Sequence, residues 1–428
     1  MKRVLVYSHD TFGLGNIRRM LEVARHLVAS SREVSVLVIT GSPMLHAFRL
    51  PERVDFIKLP CLARDVEGRY AARSLPMGLD DTVRLRANMI RSAVLDFRPD
   101  LVVVDKKPFG VEDELSGALE AMSGLVEKPS LVLLLRDILD GQAITSSVWR
   151  KNGYFDAIDT WYDRVLVVGS PEVFDLRREY QFPALAAAKV RFCGYIAREP
   201  GRQTRLQVRR RLGLDDHEPY VLVTPGGGAD GSRMVEVALA GILAQPAQWR
   251  PRTHIVCGPE MPQETVARVM AMAQSQDWLT VETFNDDMMS LQAAADVVVC
   301  MGGYNTVCEL LTCGRRAVIV PRVKPGVEQL LRAQRLSQMG LVSMVHPEDL
   351  TPETLVDALF QQIDALYGAM ASPRLPARRG LERTSTALLE LLGLTRDKAA
   401  SRRPRAPAPA RDPARAPRSV RQPMTVQA

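Results

Sequence analysis

Two successions of aliphatic strand, glycine-bearing loop and amphipathic helix divide residues 1–394 and leave few ways to fold them. Val4-Leu5-Val6-Tyr7 runs into a loop containing Gly13 and Gly15, and Ile17 to Ala29 then places apolar residues at 17, 20, 21, 24, 27 and 28. That spacing is helical. Further aliphatic runs follow at 34–40, 101–104, 131–135 and 165–168. The pattern restarts after the charged, turn-rich Arg198-Glu199-Pro200-Gly201-Arg202, with runs at 220–224, 254–257, 279–281, 297–299 and 317–320. Continuous aliphatic runs are expected of strands covered on both faces, and their alternation with helices predicts parallel sheets. The expectation is an α/β chain of two Rossmann-like domains facing a cleft: 1–197, 198–394, and a tail over 395–428. The helical segment after Pro376, with Leu388, Leu389, Leu391 and Leu392, is expected to close the globular part.

Composition narrows the class. Hydrophobic residues make up 46% and charged residues 25% of the 428, the balance of a globular chain. No apolar run approaches the roughly 18 residues of a membrane helix. The short apolar stretch before Ser8-His9-Asp10 predicts no signal peptide and a cytoplasmic protein. From Thr395 onward nine Lys/Arg face two Asp, which accounts for the whole formal charge of +7. The preceding body is formally neutral, so no specific nucleic-acid partner is expected. The tail's prolines and scarcity of large apolar residues predict disorder. The six cysteines form no C-x-x-C pair and are expected to be reduced and mostly buried.

Strand, glycine loop and helix N-terminus together present backbone N–H groups to an anion. The first such loop is Ser8 to Asn16; the second, Gly226-Gly227-Gly228 through Gly231, also spells G-x-G-x-x-G. No acidic residue follows at the offset of a dinucleotide site, and no Gly-Lys-Ser/Thr marks a P-loop, so neither is expected. A third segment runs from Thr283-Phe284-Asn285-Asp286-Asp287-Met288 through strand 297–299 to Gly302-Gly303-Tyr304-Asn305-Thr306-Val307-Cys308-Glu309. Asn305 or Thr306 is placed near a helix cap, with Glu309 in the first turns. Strand carboxyl ends carry the ligand in open α/β sheets, so these loops should share one rim.

Residues 220–345 resemble the C-terminal, nucleotide-sugar-binding half of family 28 glycosyltransferases. The type member of that family adds N-acetylglucosamine to a lipid-linked peptidoglycan precursor. The matching pieces are Gly226-Gly227-Gly228, Phe284 to Met288, Gly302-Gly303-x-Asn305-Thr306-x-x-Glu309, and Pro321 with Glu328-Gln329. With the Gly13-x-Gly15 loop, the likeness extends over most of 1–392 and is similar to a group of bacterial chains described as predicted glycosyltransferases. The resemblance implies a GT-B fold and hexose transfer from a UDP-sugar such as UDP-N-acetylglucosamine to an acceptor hydroxyl. It implies no cofactor and no metal, with helix dipoles and donors stabilising the departing diphosphate. By it, Glu309 would bind the ribose hydroxyls, Phe284 and Met288 the base, and Gly302, Gly303, Asn305 and Thr306 the diphosphate. Gln329 would reach the sugar. The acceptor, lipid-linked or glycan, would lie on the N-terminal loop of Gly13, Gly15, Asn16 and Arg18, at the inner face of the membrane.

Two departures stand out. The first loop of such enzymes commonly carries a histidine base after its second glycine, where this chain has Asn16, which takes no proton at neutral pH. Met301 replaces a residue that is often polar or basic. The candidate bases that remain are His9, Asp105 and Asp137, all at strand ends. A sugar-nucleotide hydrolase or 2-epimerase on the same fold, and a non-catalytic nucleotide-sugar-binding protein, are the alternatives.

Overall fold

The structure is a computed structural model that describes residues 1–9, 15–45, 48–64, 69–215, 217–274, 276–367 and 375–394. Gly13 and the tail from Thr395 lie outside these residues. The first half builds β1 (Lys2–Ser8), α1 (Gly15–Ser30), β2 (Val34–Thr40) and β3 (Val54–Lys58). A hairpin of β4 (Leu62–Arg64) and β5 (Tyr70–Ala72) precedes α2 (Leu79–Phe97) and β6 (Leu101–Asp105). Next come α3 (Ser116–Ser123), β7 (Ser130–Arg136), α4 (Gln142–Lys151), α5 (Tyr154–Trp161) and β8 (Arg164–Val168). Two short helices, α6 (Leu176–Glu179) and α7 (Ala184–Ala188), lead to β9 (Val190–Phe192).

The second half runs α8 (Arg205–Arg211), β10 (Tyr220–Thr224), α9 (Ser232–Leu243), β11 (Arg252–Val256), α10 (Gln263–Ala273) and β12 (Leu279–Glu282). It continues α11 (Met288–Ala294), β13 (Val297–Cys300), α12 (Tyr304–Cys313), β14 (Arg316–Ile319), α13 (Glu328–Gln338), β15 (Ser343–Met344) and α14 (Pro352–Tyr367), and α15 (Gly380–Leu391) ends the described chain.

Both main sheets are parallel throughout. The first is ordered β3-β2-β1-β6-β7-β8-β9 and the second β12-β11-β10-β13-β14-β15. In each, the strand order reverses beside the first strand of its half, between β1 and β6 and between β10 and β13. A crevice opens at such a point because the two flanking loops leave toward opposite faces of the sheet. The aliphatic runs of the sequence are these strands: β6, β8, β10 and β13 are buried along almost every residue. The weaker strands escaped sequence reading. β3 is an edge strand whose Asp55, Phe56 and Lys58 are exposed, and β15 has two residues.

One apolar cluster runs continuously through both halves, joining α1 and the first sheet to Tyr304, Val307 and Leu310 of α12 and to Leu388 and Leu389 of α15. Helix α15, which the bounds 198–394 assign to the second domain, leaves it. It returns to the first, where Ser385 Oγ lies 2.8 Å from His26 Nδ1 of α1, and the Gly380 N–H donates to Tyr195 O at 2.9 Å. The sequence showed an amphipathic helix there; its partner lies some 360 residues upstream, beyond the reach of local pattern. All six cysteines are free, five of them buried. Among the described residues no helix is long and apolar enough to cross a membrane.

Candidate active site

The loops that leave β10 and β13 meet at the start of α12, where Gly15 at the start of α1 also approaches. Gly226 and Gly228 adopt φ of 87° and 98°, and Gly302 adopts 73°. A Cβ at Gly228 would lie 2.6 Å from the Cys257 carbonyl oxygen, and one at Gly302 would lie 2.7 Å from Ile319 Cγ2. The turns are tight, and only glycine fits them. Their open sides converge. A Cβ built on Gly226 would stand 4.0 Å from Thr306 Oγ1, one on Gly303 4.0 Å from Gln329 Nε2, and one on Gly15 3.7 Å from Asn305 Nδ2.

Gly303 is the N-cap of α12, and no side chain caps the helix. Asn305 and Thr306 stand in the first turn, next to that cap. Asn305 instead accepts from Arg198 at 2.6 Å, and its Nδ2 lies 3.4 Å from the Gly15 carbonyl. The uncapped N–H groups of a ten-residue helix carry partial positive charge beside the Gly302-Gly303 turn.

Glu309, one and a half turns further on, is buried. Its Oε2 accepts from Gln292 Nε2 at 2.8 Å, and its Oε1 lies 3.0 Å from Arg18 of the first half. Arg18 was expected on the acceptor side; the structure places it on Glu309 instead. Gln292 went unnoticed in the sequence because it is one polar residue on an amphipathic helix. In the segment before α11, Asp287 caps the helix by accepting from the Ser290 N–H, and Asn285 donates to Glu282. Phe284 is 59% exposed, so core packing does not explain it. Met288 packs against the core, half-buried.

On the first half, Asn16 ties the start of α1 to the end of β1: its Nδ2 donates to the His9 carbonyl at 2.7 Å, and Arg19 reaches its Oδ1 at 3.3 Å. His9 is buried, and its backbone N–H donates to Asp105 Oδ2 at 3.3 Å. The other Asp105 oxygen is paired with Arg19 at 2.5 Å, both side chains being buried. Asp137 is fully buried as well. It receives Arg332 Nε and Nη2 at 2.8 and 2.9 Å and the Tyr195 hydroxyl at 2.9 Å. Burial alone would raise its pKa, but the Arg332 charge and these hydrogen bonds hold the carboxyl below the usual range. Asp105 and Asp137 were expected as candidate bases. Their oxygens are instead committed to buried guanidinium pairs, which places them as struts and leaves His9 as the remaining candidate.

The Asp137–Arg332 pair joins the halves, and it has company. Tyr304 donates to the Val168 carbonyl at 2.7 Å, Val327 N–H to Asp140 at 2.8 Å, and Arg335 pairs with Glu179 at 3.0 Å. Arg332 also donates to the Gly302 carbonyl at 3.1 Å, tying the strut to the glycine turn. The guanidiniums of Arg19 and Arg332 each lie 5.9 Å from the Tyr304 ring centre, within cation–π range. Gln329, on the same helix as Arg332, accepts from the Arg322 N–H at 3.0 Å. Arg198 and Arg332 carried no signal in the sequence, since an isolated arginine reads as surface until its burial is known.

Two parallel α/β units of this topology, facing each other through the carboxyl ends of their strands, are the GT-B fold. Residues 221–368 match the glycosyltransferase family 28 C-terminal domain. A Haemophilus influenzae UDP-N-acetylglucosamine–N-acetylmuramyl-(pentapeptide) pyrophosphoryl-undecaprenol N-acetylglucosamine transferase is 32% identical over 147 residues. The match spans 34% of this chain and 40% of that relative. Over the whole chain the likeness is one of fold. The crystal structure of Acinetobacter baumannii MurG aligns with a TM-score of 0.53 at 15% identity, covering 92% or more of both chains (94% of this one and 97% of that one). The UDP-GlcNAc 2-epimerase of Methanocaldococcus jannaschii aligns with a TM-score of 0.58 at 12% identity, covering 92% and 99%. A transferase and an epimerase share this scaffold, so the site must carry the functional argument.

Proposed function

We propose that the chain is a hexosyltransferase that takes the sugar of UDP-N-acetylglucosamine, or a related UDP-sugar, to the hydroxyl of a lipid-linked acceptor at the inner face of the membrane. The observation that carries this reading is the buried Glu309 carboxylate on α12, one helix turn and a half from an uncapped N-terminus at a glycine turn. A carboxylate that accepts two hydroxyls and N–H groups that receive an anion, at that separation, suit a ribose and its diphosphate. Phe284 and Met288 flank the place where the base would lie. Gln329, beside Gly303, would meet the sugar. The Gly226–Gly228 turn would approach the phosphates from across the crevice.

In the reaction the bond between sugar C1 and the diphosphate oxygen breaks, and its electron pair leaves with the phosphate. The acceptor hydroxyl oxygen bonds to C1 and gives up its proton. His9, at the end of β1, is the group assigned to receive it, through water or directly. Charge develops on the departing diphosphate, where the α12 N-terminus and the guanidiniums around it supply stabilisation. On this reading turnover needs no metal ion and persists in excess chelator.

The test is a titration with UDP, followed by thermal stabilisation, on wild type and Glu309→Gln. A ligand at 100 times its Kd stabilises by about 2.7 kcal/mol. Loss of charge-assisted hydrogen bonds to the ribose should weaken UDP about 10–100-fold. Equal affinity in the two proteins would remove Glu309 from the donor site. A second reading is favoured by the locked state of Asp105 and Asp137 together with Asn16: a nucleotide-sugar-binding protein without a base. Release of UDP from a UDP-sugar in the presence of acceptor separates the two.

A further inference from the structure

Three carboxylates are buried where the two halves meet, and they are held in different ways. Asp105 faces Arg19 at 2.5 Å and Asp137 faces Arg332 at 2.8 Å, with all four side chains at most 3% exposed. Neither guanidinium can leave without stranding a charge out of water. Glu309 has no such partner. Its Oε2 accepts from the neutral amide of Gln292 at 2.8 Å. Its Oε1 lies 3.0 Å from Arg18, which is 38% exposed, and takes no aligned hydrogen bond from it. Arg18 can swing into water at little cost, because its end of the pair already reaches solvent.

Gln292 lies on α11, which packs against α12. It is buried, like Leu291 and Ala294 beside it on the same short helix. An amide meets a carboxylate only with its N–H side, which fixes the orientation of this side chain. Its Oε1 is then left buried without a hydrogen-bond partner among the described residues. Such an oxygen is costly, so packing alone would favour an apolar side chain here. What the amide supplies is a fixed, uncharged donor. It holds one oxygen of Glu309 without cancelling the carboxylate charge, and the other oxygen can exchange Arg18 for a ligand hydroxyl while the side chain stays in place.

We propose that Gln292 is a positioning residue that clamps Glu309 in the orientation receiving a vicinal diol, and so sets the preference of the site for ribose over 2′-deoxyribose. The inference rests on the reading of Glu309 as the ribose ligand and adds the group that holds it ready. Gln292 acts through Glu309 and touches no substrate. Without the amide, Arg18 is the partner that remains to Glu309 among the described residues, and the carboxylate turns toward it. The diol then has to displace both oxygens from a guanidinium.

The experiment is a double-mutant cycle on the full chain, with Gln292→Met and Glu309→Gln singly and together, titrated calorimetrically with UDP, 2′-deoxy-UDP and inorganic pyrophosphate. Methionine keeps the length of the side chain and removes its polar atoms. Gln292→Met should weaken UDP about 5–10-fold and 2′-deoxy-UDP by less, with pyrophosphate unchanged. In the Glu309→Gln background the same change should alter UDP by under about 2-fold, because the charged group it acts through is gone. Unchanged UDP affinity in Gln292→Met, or full additivity with Glu309→Gln, overturns the role of Gln292 and leaves Glu309 as the ribose ligand. Equal weakening of all three ligands marks a general disturbance of the site and overturns it as well. A wild type that binds no UDP, or one matched by Glu309→Gln, overturns the donor-site reading and this inference with it. Should Gln292→Met fail to fold, Gln292→Asn, which keeps the amide and shortens its reach, decides by the same comparison.

Discussion

Replacing Asp137 by Asn removes the counter-charge of Arg332 while keeping the shape of the side chain. Both members of this pair are fully buried, and they bridge positions 195 residues apart on opposite halves. Removing one partner of such a pair costs about 3–5 kcal/mol, because the other charge remains out of water. Against a total stability of about 5–15 kcal/mol this is a large share. The melting temperature should fall on the order of 5–10 °C. Asp137→Leu with Arg332→Met should recover most of the loss, since an apolar pair of similar volume replaces the ion pair at little net cost. The double-mutant cycle, read by urea unfolding, gives the coupling directly.

The pH dependence has a definite sign. The Asp137 carboxyl is held below its usual range in the folded state, so the unfolded chain binds its proton first as pH falls. The contribution is complete above about pH 4, the unfolded value, and is lost as pH falls from there through the folded pKa. The Asn variant should lack that part of the acid transition. An Asp137→Asn protein less than about 1 kcal/mol destabilised, yet without turnover, would refute the strut and restore Asp137 as a base.

Two other changes test the site. Arg18→Ala frees the Glu309 carboxylate from its 3.0 Å partner and should tighten UDP binding by a few-fold, since a half-exposed pair is worth at most about 1 kcal/mol; isothermal titration measures it, and weaker binding would mean that Arg18 itself touches the nucleotide. Gly228→Ala forces a Cβ to within 2.6 Å of the Cys257 carbonyl at a φ of 98°, so it should lose at least about 1–2 kcal/mol from backbone strain alone together with UDP affinity, and a variant as stable as wild type would show that the turn is not held as described.

Much of the architecture was legible because it is written in local periods. Buried parallel strands are continuous aliphatic runs, and β2 and β10 occupy the residues that pattern marks. The glycine turns were legible for a related reason: a positive φ excludes most side chains, so Gly226, Gly228 and Gly302 stand where the backbone demands them. The position of Glu309 on the face of α12 follows from helical spacing.

What pattern cannot express is the identity of a distant partner. Asp137 and Asp105 looked like strand-end acids open to a substrate, and only packing shows Arg332 and Arg19 closing on them. Arg18 looked free and is held by Glu309; α15 looked like the end of the second half and packs on the first. Secondary structure is set by neighbours along the chain, which a sequence displays, whereas the charge state and accessibility of a buried group are set by neighbours in space, which the two halves supply only when they close on each other.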